Sequence, residues 1–561
     1  MERLDVASLR ALSADDLRSL IVRLAAEQNA LRATVAGLEG RIGALQDENT
    51  KLREQAAALT AQNRTLKDEI ARLKELPRRP PDRPSGMEKS TEVGQIGKKK
   101  SGSRRRRGAT LPRITITQEV VLAATAPAGS RFKGYDDIVV QDLDLRAQAT
   151  RYRRERWTTP SGETVSGALP AGIVGGFGPD LQRFILALHI QGQVTTERLT
   201  ALLNGMGVVI SKRQVVRLLA KCAQKFVAEE AQVLRAGLAT APWITVDDTS
   251  ARHARCDGYT TQIGDDRFTA FRTAASKSRA NFLSILRAGS SLYVLNAAAL
   301  DYMRRRGLPE ATLAALERAG QTEFADAATF NAHLEALGLA DRAVTPDPVA
   351  VATEGALWGA IRHLGLLEGT VVVSDGAGQF RVGDHAACWV HAERLVHKLI
   401  PVNDIQRRAV EVARQLIWWF YSDLKAYRLA PHPKRAAAMR ARFDRIFSRV
   451  TGFALLDQLL RRLRRRKADL LRVLNSPEIP LHTNGSENDI RAVVTKRKIS
   501  GGTISEAGRQ ARDVLLGLMK TCRKLGVSFF EYLGCRLRVQ TARPIPPLEH
   551  LVSAAVRSAA R

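Results

Sequence analysis

Gly369-Thr370-Val371-Val372-Val373-Ser374-Asp375-Gly376-Ala377-Gly378 sets the fold class. A short β-branched apolar run that stops at an acid and a glycine cluster reads as a buried strand with a turn behind it. A strand apolar on both faces belongs inside an α/β sheet. In open α/β sheets, functional groups collect at the carboxyl ends of strands, and Asp375 stands at such an end.

Two further stretches have related form. Pro242-Trp243-Ile244-Thr245-Val246-Asp247-Asp248-Thr249 reads as a short buried strand ending in acids, and Thr260 to Ala274 as a hairpin with Gly264-Asp265-Asp266 at its turn. His482-Thr483-Asn484-Gly485-Ser486-Glu487-Asn488-Asp489-Ile490-Arg491 places Glu487 at the start of a helix. Two strand-end aspartates and a helix-borne glutamate form the recurring ligand set of RNase H-like nucleases. There, two divalent ions roughly 3.5–4 Å apart activate the attacking oxygen and stabilise the leaving one. Mg²⁺ takes oxygen ligands, so a few carboxylates suffice. Each acid also has a plainer reading. Asp247 and Asp248 could end a strand as turn residues, Asp375 could mark an ordinary turn, and Glu487 could complete a capping box with Asn484.

The 561 residues carry a formal net charge of +30, with a pI near 10.5. Such an excess favours polyanions, because binding phosphates releases condensed counterions. No apolar run reaches the roughly 18 residues of a membrane span, and the N-terminus lacks a signal-peptide core. The five cysteines (Cys222, Cys256, Cys388, Cys522 and Cys535) include no CxxC pair, which suits a reducing cytoplasm and argues against a zinc ribbon.

Leucine recurs every seventh residue at Leu17, Leu24, Leu31, Leu38, Leu45, Leu52, Leu59, Leu66 and Leu73. A companion seam runs through Ile21, Gln28, Val35, Ile42, Asn49, Ala56, Asn63 and Ile70. β-Branched a with Leu at d favours a parallel dimeric coiled coil over residues 1–76. Residues 77–110 form a basic linker with Arg104, Arg105, Arg106 and Arg107, suited to track phosphates. Residues 111–178 suggest a small β-rich segment, with strands at Ile114–Ile116 and Ile138–Val140 and a ribbon through Tyr152, Trp157 and Thr159. Over 179–235 the pattern is helical. A Gly205-Met206-Gly207 turn and a helix opening Ser211-Lys212-Arg213-Gln214 resemble a helix-turn-helix, with Lys212, Arg213 and Gln214 as DNA readers.

Together these residues resemble transposases of the insertion sequence 66 family, which carry a DDE-type catalytic domain. Asn484-Gly485-Ser486-Glu487-Asn488-Asp489-Ile490-Arg491 resembles the family's Asn-x-x-Glu-x-x-x-Arg element. Arg497-Lys498 and Gly501 to Gly508 resemble its continuation. Ser374-Asp375-Gly376 followed by Cys388-Trp389-Val390-His391-Ala392 resembles the Asp-Gly … Cys-Trp-x-His-Ala element, and Val246-Asp247-Asp248-Thr249 the first motif. The match covers roughly residues 180–535. It implies Asp247, Asp375 and Glu487 as catalytic metal ligands for two Mg²⁺ (or Mn²⁺) ions. It also implies double-stranded DNA, at element ends and target, as substrate, with small accessory proteins of the same element as partners. A bacterial cytoplasmic protein associated with the nucleoid is the expected setting. Three departures stand out: no cysteine precedes Cys222, Asp248 replaces the usual Glu, and His482-Thr483 replaces Asp-Asn.

The expected architecture is α/β. An RNase H-like domain with helical insertions follows a coiled coil and a helical DNA-binding region. Its first part spans 236–400 with an insertion at 301–350. A basic helical insertion follows at 401–478, read as helices Ile405–Tyr427 and Pro433–Asn475 and rich in arginine from Arg461 to Arg466. The Glu-bearing helix lies in 479–535, and 536–561 is a tail. Arg491, Arg497 and Lys498 are candidate phosphate ligands, Arg491 alternatively pairing with Glu487 one turn away. Cys388-x-x-His391 lacks the second ligand pair of a zinc site. It reads as a packed Cys with a hydrogen-bonded His, or else His391 contacts the scissile DNA. The rival to a transposase is a catalytically inactive or domesticated DNA-binding protein of the same ancestry.

Overall fold

The computed structural model describes residues 13–73, 115–127, 129–174, 176–339 and 345–559. The basic linker, with Arg104, Arg105, Arg106 and Arg107, lies outside the described residues. The chain divides into two units, residues 1–84 and 85–561.

The first unit holds one 60-residue helix, α1 (Ala14–Leu73), with Asp15 and Asp16 in its first turn, where the helix dipole favours anions. Ser13 Oγ accepts the Asp16 N–H at 3.2 Å. From its two heptad seams, Ile21, Val35, Leu38 and Leu45 are exposed in the single chain.

In the second unit the described parts of the strands read at Ile114–Ile116 and Ile138–Val140 are not strands: described residues 115–127 and 129–155 contain none, and Ile114 lies outside the described residues. Ile138 and Val140 are each 81 % exposed, so no apolar face holds the alternating pattern flat. A short ribbon does form, β1 (Arg156–Thr158) with β2 (Thr164–Ser166), pairing Trp157 with Val165. Helices α2 (Pro179–Ile190), α3 (Thr196–Gly205) and α4 (Lys212–Thr240) follow. Pro179 opens α2, Thr195 caps α3, and a Ser211/Gln214 capping box starts α4.

The centre is a five-stranded mixed sheet. β3 (Trp243–His253), β4 (Cys256–Gly264) and β5 (Thr269–Ala274) form an antiparallel meander. Asp265 makes the hairpin turn, accepting the Arg267 and Phe268 N–H groups at 2.7 and 3.0 Å. A helical excursion then intervenes, with α5 (Arg279–Leu286), β6 (Tyr293–Val294), α6 (Ala297–Arg305), α7 (Glu310–Arg318), β7 (Glu323–Phe324), α8 (Ala327–Ala336) and α9 (Pro348–His363). The chain returns as β8 (Val371–Ser374), parallel to β3, and β9 (Asp384–Ala387), parallel to β8. The order across the sheet is β5-β4-β3-β8-β9.

Period-two alternation splits β8 between two cores. Val372 joins the large cluster with Ile244, Val246 and the preceding helices, whereas Val371 and Val373 face a second cluster. That second cluster is built from α10 (Trp389–His397), α11 (Asp404–Leu429), α12 (Pro433–Phe447) and α13 (Ala454–Arg465) around Trp389, Phe420, Phe443 and Phe447. The helix read from Pro433 to Asn475 is broken. α12 ends at Phe447, the linker to α13 turns at Gly452 (φ 75°), and a bend at Arg466 separates α13 from the short α14 (Lys467–Leu470). α15 (Asn484–Ser500), α16 (Glu506–Lys524), α17 (Phe529–Leu537) and α18 (Leu548–Ala559) complete the unit, so helix continues into the region read as a tail. Among the described residues no helix is long and apolar enough to cross a membrane.

Candidate active site

Parallel pairing aligns Thr245 with Val373; carried two residues further, the same register sets Asp247 level with Asp375. β3 does not end at its acids but continues to His253 against β4, while β8 stops at Ser374. The two aspartates therefore meet where the parallel pairing ends, the position that open sheets use for function.

Asp247 and Asp248 point to opposite faces of β3. Asp248 is occupied by structure: Lys277 donates to Oδ1 at 2.5 Å and Gln379 to Oδ2 at 2.9 Å. Asp247 accepts the Asp248 N–H at 2.8 Å and makes no ion pair among the described residues. Burial lifts its carboxyl to about 6. The Asp248 N–H and His391 work against that shift, and the negative charges of Asp375 and Glu487 add to it.

Glu487 arrives on α15. The capping box with Asn484 does not form: Thr483 holds the N-cap position without a side-chain hydrogen bond, and Glu487 sits in the first turn with its N–H on Thr483 O at 3.0 Å. The helix is anchored by buried Asp489, which accepts from Thr269 on β5 at 2.7 Å and from Lys524 on α16 at 2.6 Å. Glu487 Oε1 is buried without a hydrogen bond, 3.7 Å from His391 Nε2 and 3.5 Å from Arg394. Arg394 is absent from the sequence candidates; its signal is a position one turn after His391 on the same face. Buried Cys388, at the N-cap of α10, lies beside the imidazole. Burial opposes charging His391, but the Cys388 sulfur and the Glu487 carboxylate outweigh it and lift the ring to about 9.

The three acids share a field without closing on one point. Among the described residues no three His, Cys, Asp or Glu side chains form a group that would hold a metal ion. Their chemistry nevertheless fits a hard dication: two like-charged neighbours beside Asp247 and a buried carboxylate oxygen without a donor.

The other sequence candidates are dispersed. Arg497 donates to Ser250 at 2.7 Å and so lies beside β3 near the acids. Arg491 and Lys498 are exposed on α15, and Glu487 faces Arg394 rather than Arg491. Lys212 and Arg213 are exposed at the start of α4, Lys212 at 3.9 Å from Glu197. Gln214, exposed at the same helix start, has its Oε1 accepting the Ser211 N–H at 2.8 Å in the capping box. The α13 arginines Arg461, Arg462, Arg464 and Arg465 are exposed, opposite buried Leu456, Leu459, Leu460 and Leu463.

A relative in Sinorhizobium fredii (strain NBRC 101917 / NGR234), the uncharacterized protein y4jO, is 56 % identical over 324 residues, covering 57 % of this chain and 99 % of the relative. The sequence signature described as "Transposase IS66 family" matches residues 175–291 and 360–511, segments that contain Asp247, Asp375 and Glu487. On this match the chain belongs to the IS66 family of transposases.

Proposed function

We propose that this protein is a metal-dependent DNA transposase with an RNase H-like catalytic sheet, whose DDE trio is Asp247, Asp375 and Glu487. The observation that carries the reading is the contrast on β3. Asp248 is neutralised by Lys277, while Asp247 faces Asp375 and Glu487 with no ion pair among the described residues. Strand order β5-β4-β3-β8-β9, with the Glu-bearing helix α15 packed on β3, supports the RNase H-like assignment.

The trio would hold Mg²⁺ or Mn²⁺, two per site, which when bound stabilise charge on the attacking and leaving oxygens of a phosphodiester. In the first step water attacks phosphorus at the element end; the P–O bond to the 3′ oxygen breaks and that oxygen leaves as a 3′-hydroxyl. In the second, this hydroxyl attacks a target phosphodiester and displaces its 3′ oxygen, joining the strands. His391 and Arg394 stand where they can bind phosphate once Glu487 turns to its ligand role. Lys212 and Arg213 on α4, Arg491, Arg497 and Lys498 on α15, and the α13 arginines extend the basic surface along a duplex. α1 pairs with a second copy, giving a homodimer or higher assembly that holds two element ends.

The test is strand cleavage and joining on DNA carrying the element's own ends, with Mg²⁺ or Mn²⁺, comparing wild type with Glu487→Gln. Wild-type activity lost in Glu487→Gln, with DNA binding intact, is the expected outcome. End binding without cleavage in the wild type, with companion proteins of the element supplied, would make this a DNA-binding protein only.

A further inference from the structure

Behind Asp375, four side chains form one connected set that the reaction above does not use. Ser374 Oγ accepts the Gly376 N–H at 3.0 Å and lies 2.8 Å from His385 Nε2. His385 Nδ1 faces Asp469 Oδ2 at 3.4 Å, and Asp469 also meets Arg381 at 3.5 Å and Arg466 at 3.9 Å. Arg466 closes the set by donating to Gly376 O at 2.9 Å.

The order Ser-His-Asp suggests a nucleophile, but Ser374 is wholly buried and bonded to backbone. With a proton on His385 Nδ1 facing the carboxylate, Nε2 is an acceptor. Ser374 then donates its O–H there and keeps its lone pairs for the Gly376 N–H. Both backbone polar groups of Gly376 are thus bonded to side chains, one from the strand and one from the α13–α14 bend. Gly376 has φ 90°, and a Cβ there would collide with the Arg466 guanidinium. The turn that carries Asp375 is fixed by a residue 90 positions later in the helical segment.

We propose that Arg466, Asp469, His385 and Ser374 are positioning residues, through which the segment between β9 and α15 fixes the Asp375 turn and sets the site's affinity for a divalent cation. The proposal rests on Asp375 being a metal ligand.

Charge alone predicts the opposite sign for Arg466. Removing a cation near Asp375 strengthens the local negative field and should tighten cation binding, whereas loosening the turn should weaken it. The experiment is Mn²⁺ titration of the full chain by calorimetry or electron paramagnetic resonance, with thermal melts to show folding. Arg466→Met should weaken Mn²⁺ binding about tenfold, the scale on which residues orienting metal ligands act. Arg466→Lys, which keeps the charge and one donor, should fall between it and wild type. Equal or tighter binding by folded Arg466→Met overturns the proposal. If Arg466→Met does not fold, Ser374→Ala, which changes no charge, should weaken binding severalfold, and unchanged affinity in that variant overturns it. Asp375→Asn separates the two readings. Affinity lost there but kept in Arg466→Met removes the positioning role alone. Equal Mn²⁺ binding by wild type and Asp375→Asn removes the metal-ligand reading and the proposal with it.

Discussion

The Lys277 ammonium donates to Asp248 Oδ1 at 2.5 Å, so the neighbouring acids of β3 have opposite fates. Lys277 lies just past β5, where it also sits 4.8 Å from the centre of the Tyr259 ring. Asp247→Asn is therefore expected to abolish cleavage with little loss of stability. Asp248→Asn should keep at least a tenth of the activity and lower the melting temperature by only about a degree, since an ion pair whose lysine is exposed contributes about 1 kcal/mol or less. Parallel cleavage assays and melts on the two variants decide this. Equal loss of activity in both would remove the distinction.

A pH effect should arise far from the acids, at His189 on α2. Its Nδ1 donates to Val194 O at 2.8 Å, and Lys496 from α15 donates to His189 O at 2.7 Å. Burial first, then the Lys496 charge, depress the imidazole to about 4, against the pull of the Val194 carbonyl. Between pH 6.5 and 4 the unfolded chain takes up a proton that the folded ring refuses, so stability falls as pH drops through this window. His189→Gln has no ring to titrate. Wild type should lose up to about 3 kcal/mol more than the variant between pH 7 and 4, read from denaturant unfolding at each pH.

The exposed arginines of α13 predict a salt dependence. Replacing Arg461, Arg462, Arg464 and Arg465 by alanine should weaken duplex binding irrespective of sequence. It should also reduce the slope of log affinity against log salt by about 0.9 for each phosphate no longer neutralised. Filter binding or anisotropy from low to moderate salt measures the slope. An unchanged slope would assign these residues to a solvated face.

Self-association should depend on the α1 seam. Leu38→Asp with Leu45→Asp places charges at two exposed d positions of α1. Sedimentation velocity should show the dimer or larger wild-type species giving way to monomer. A variant with wild-type mass would locate assembly elsewhere.

Much of this was legible in the chain itself. Val371–Val373 announced a strand buried on both faces because β-branched runs without polar alternation fit no other setting in a soluble sheet, and Ser211 announced a helix start because its hydroxyl can reach the N3 amide. The heptad leucines marked a long helix because 3.5-residue spacing keeps them on one stripe. The family resemblance, read from the order of motifs, agrees with the match over residues 175–511.

Tertiary structure decided what local rules leave open. The family resemblance put the ligand at Asp247 rather than Asp248, but only the fold shows that Lys277 and Gln379, from 29 and 131 residues away, engage the Asp248 carboxylate. The sequence offered Gln214 as a reader of bases, and the fold adds that its Oε1 also accepts the Ser211 N–H. It drew strands over Ile114–Ile116 and Ile138–Val140, yet a strand needs a partner edge and a face to bury, and the fold supplies neither to the described residues there. Arg394 against Glu487 and Arg466 against Gly376 join elements far apart in the chain, invisible to periodicity and spacing. Periodicity and capping are local physics that a chain carries with it; which carboxylate is neutralised and which is left facing its like depends on packing between distant segments.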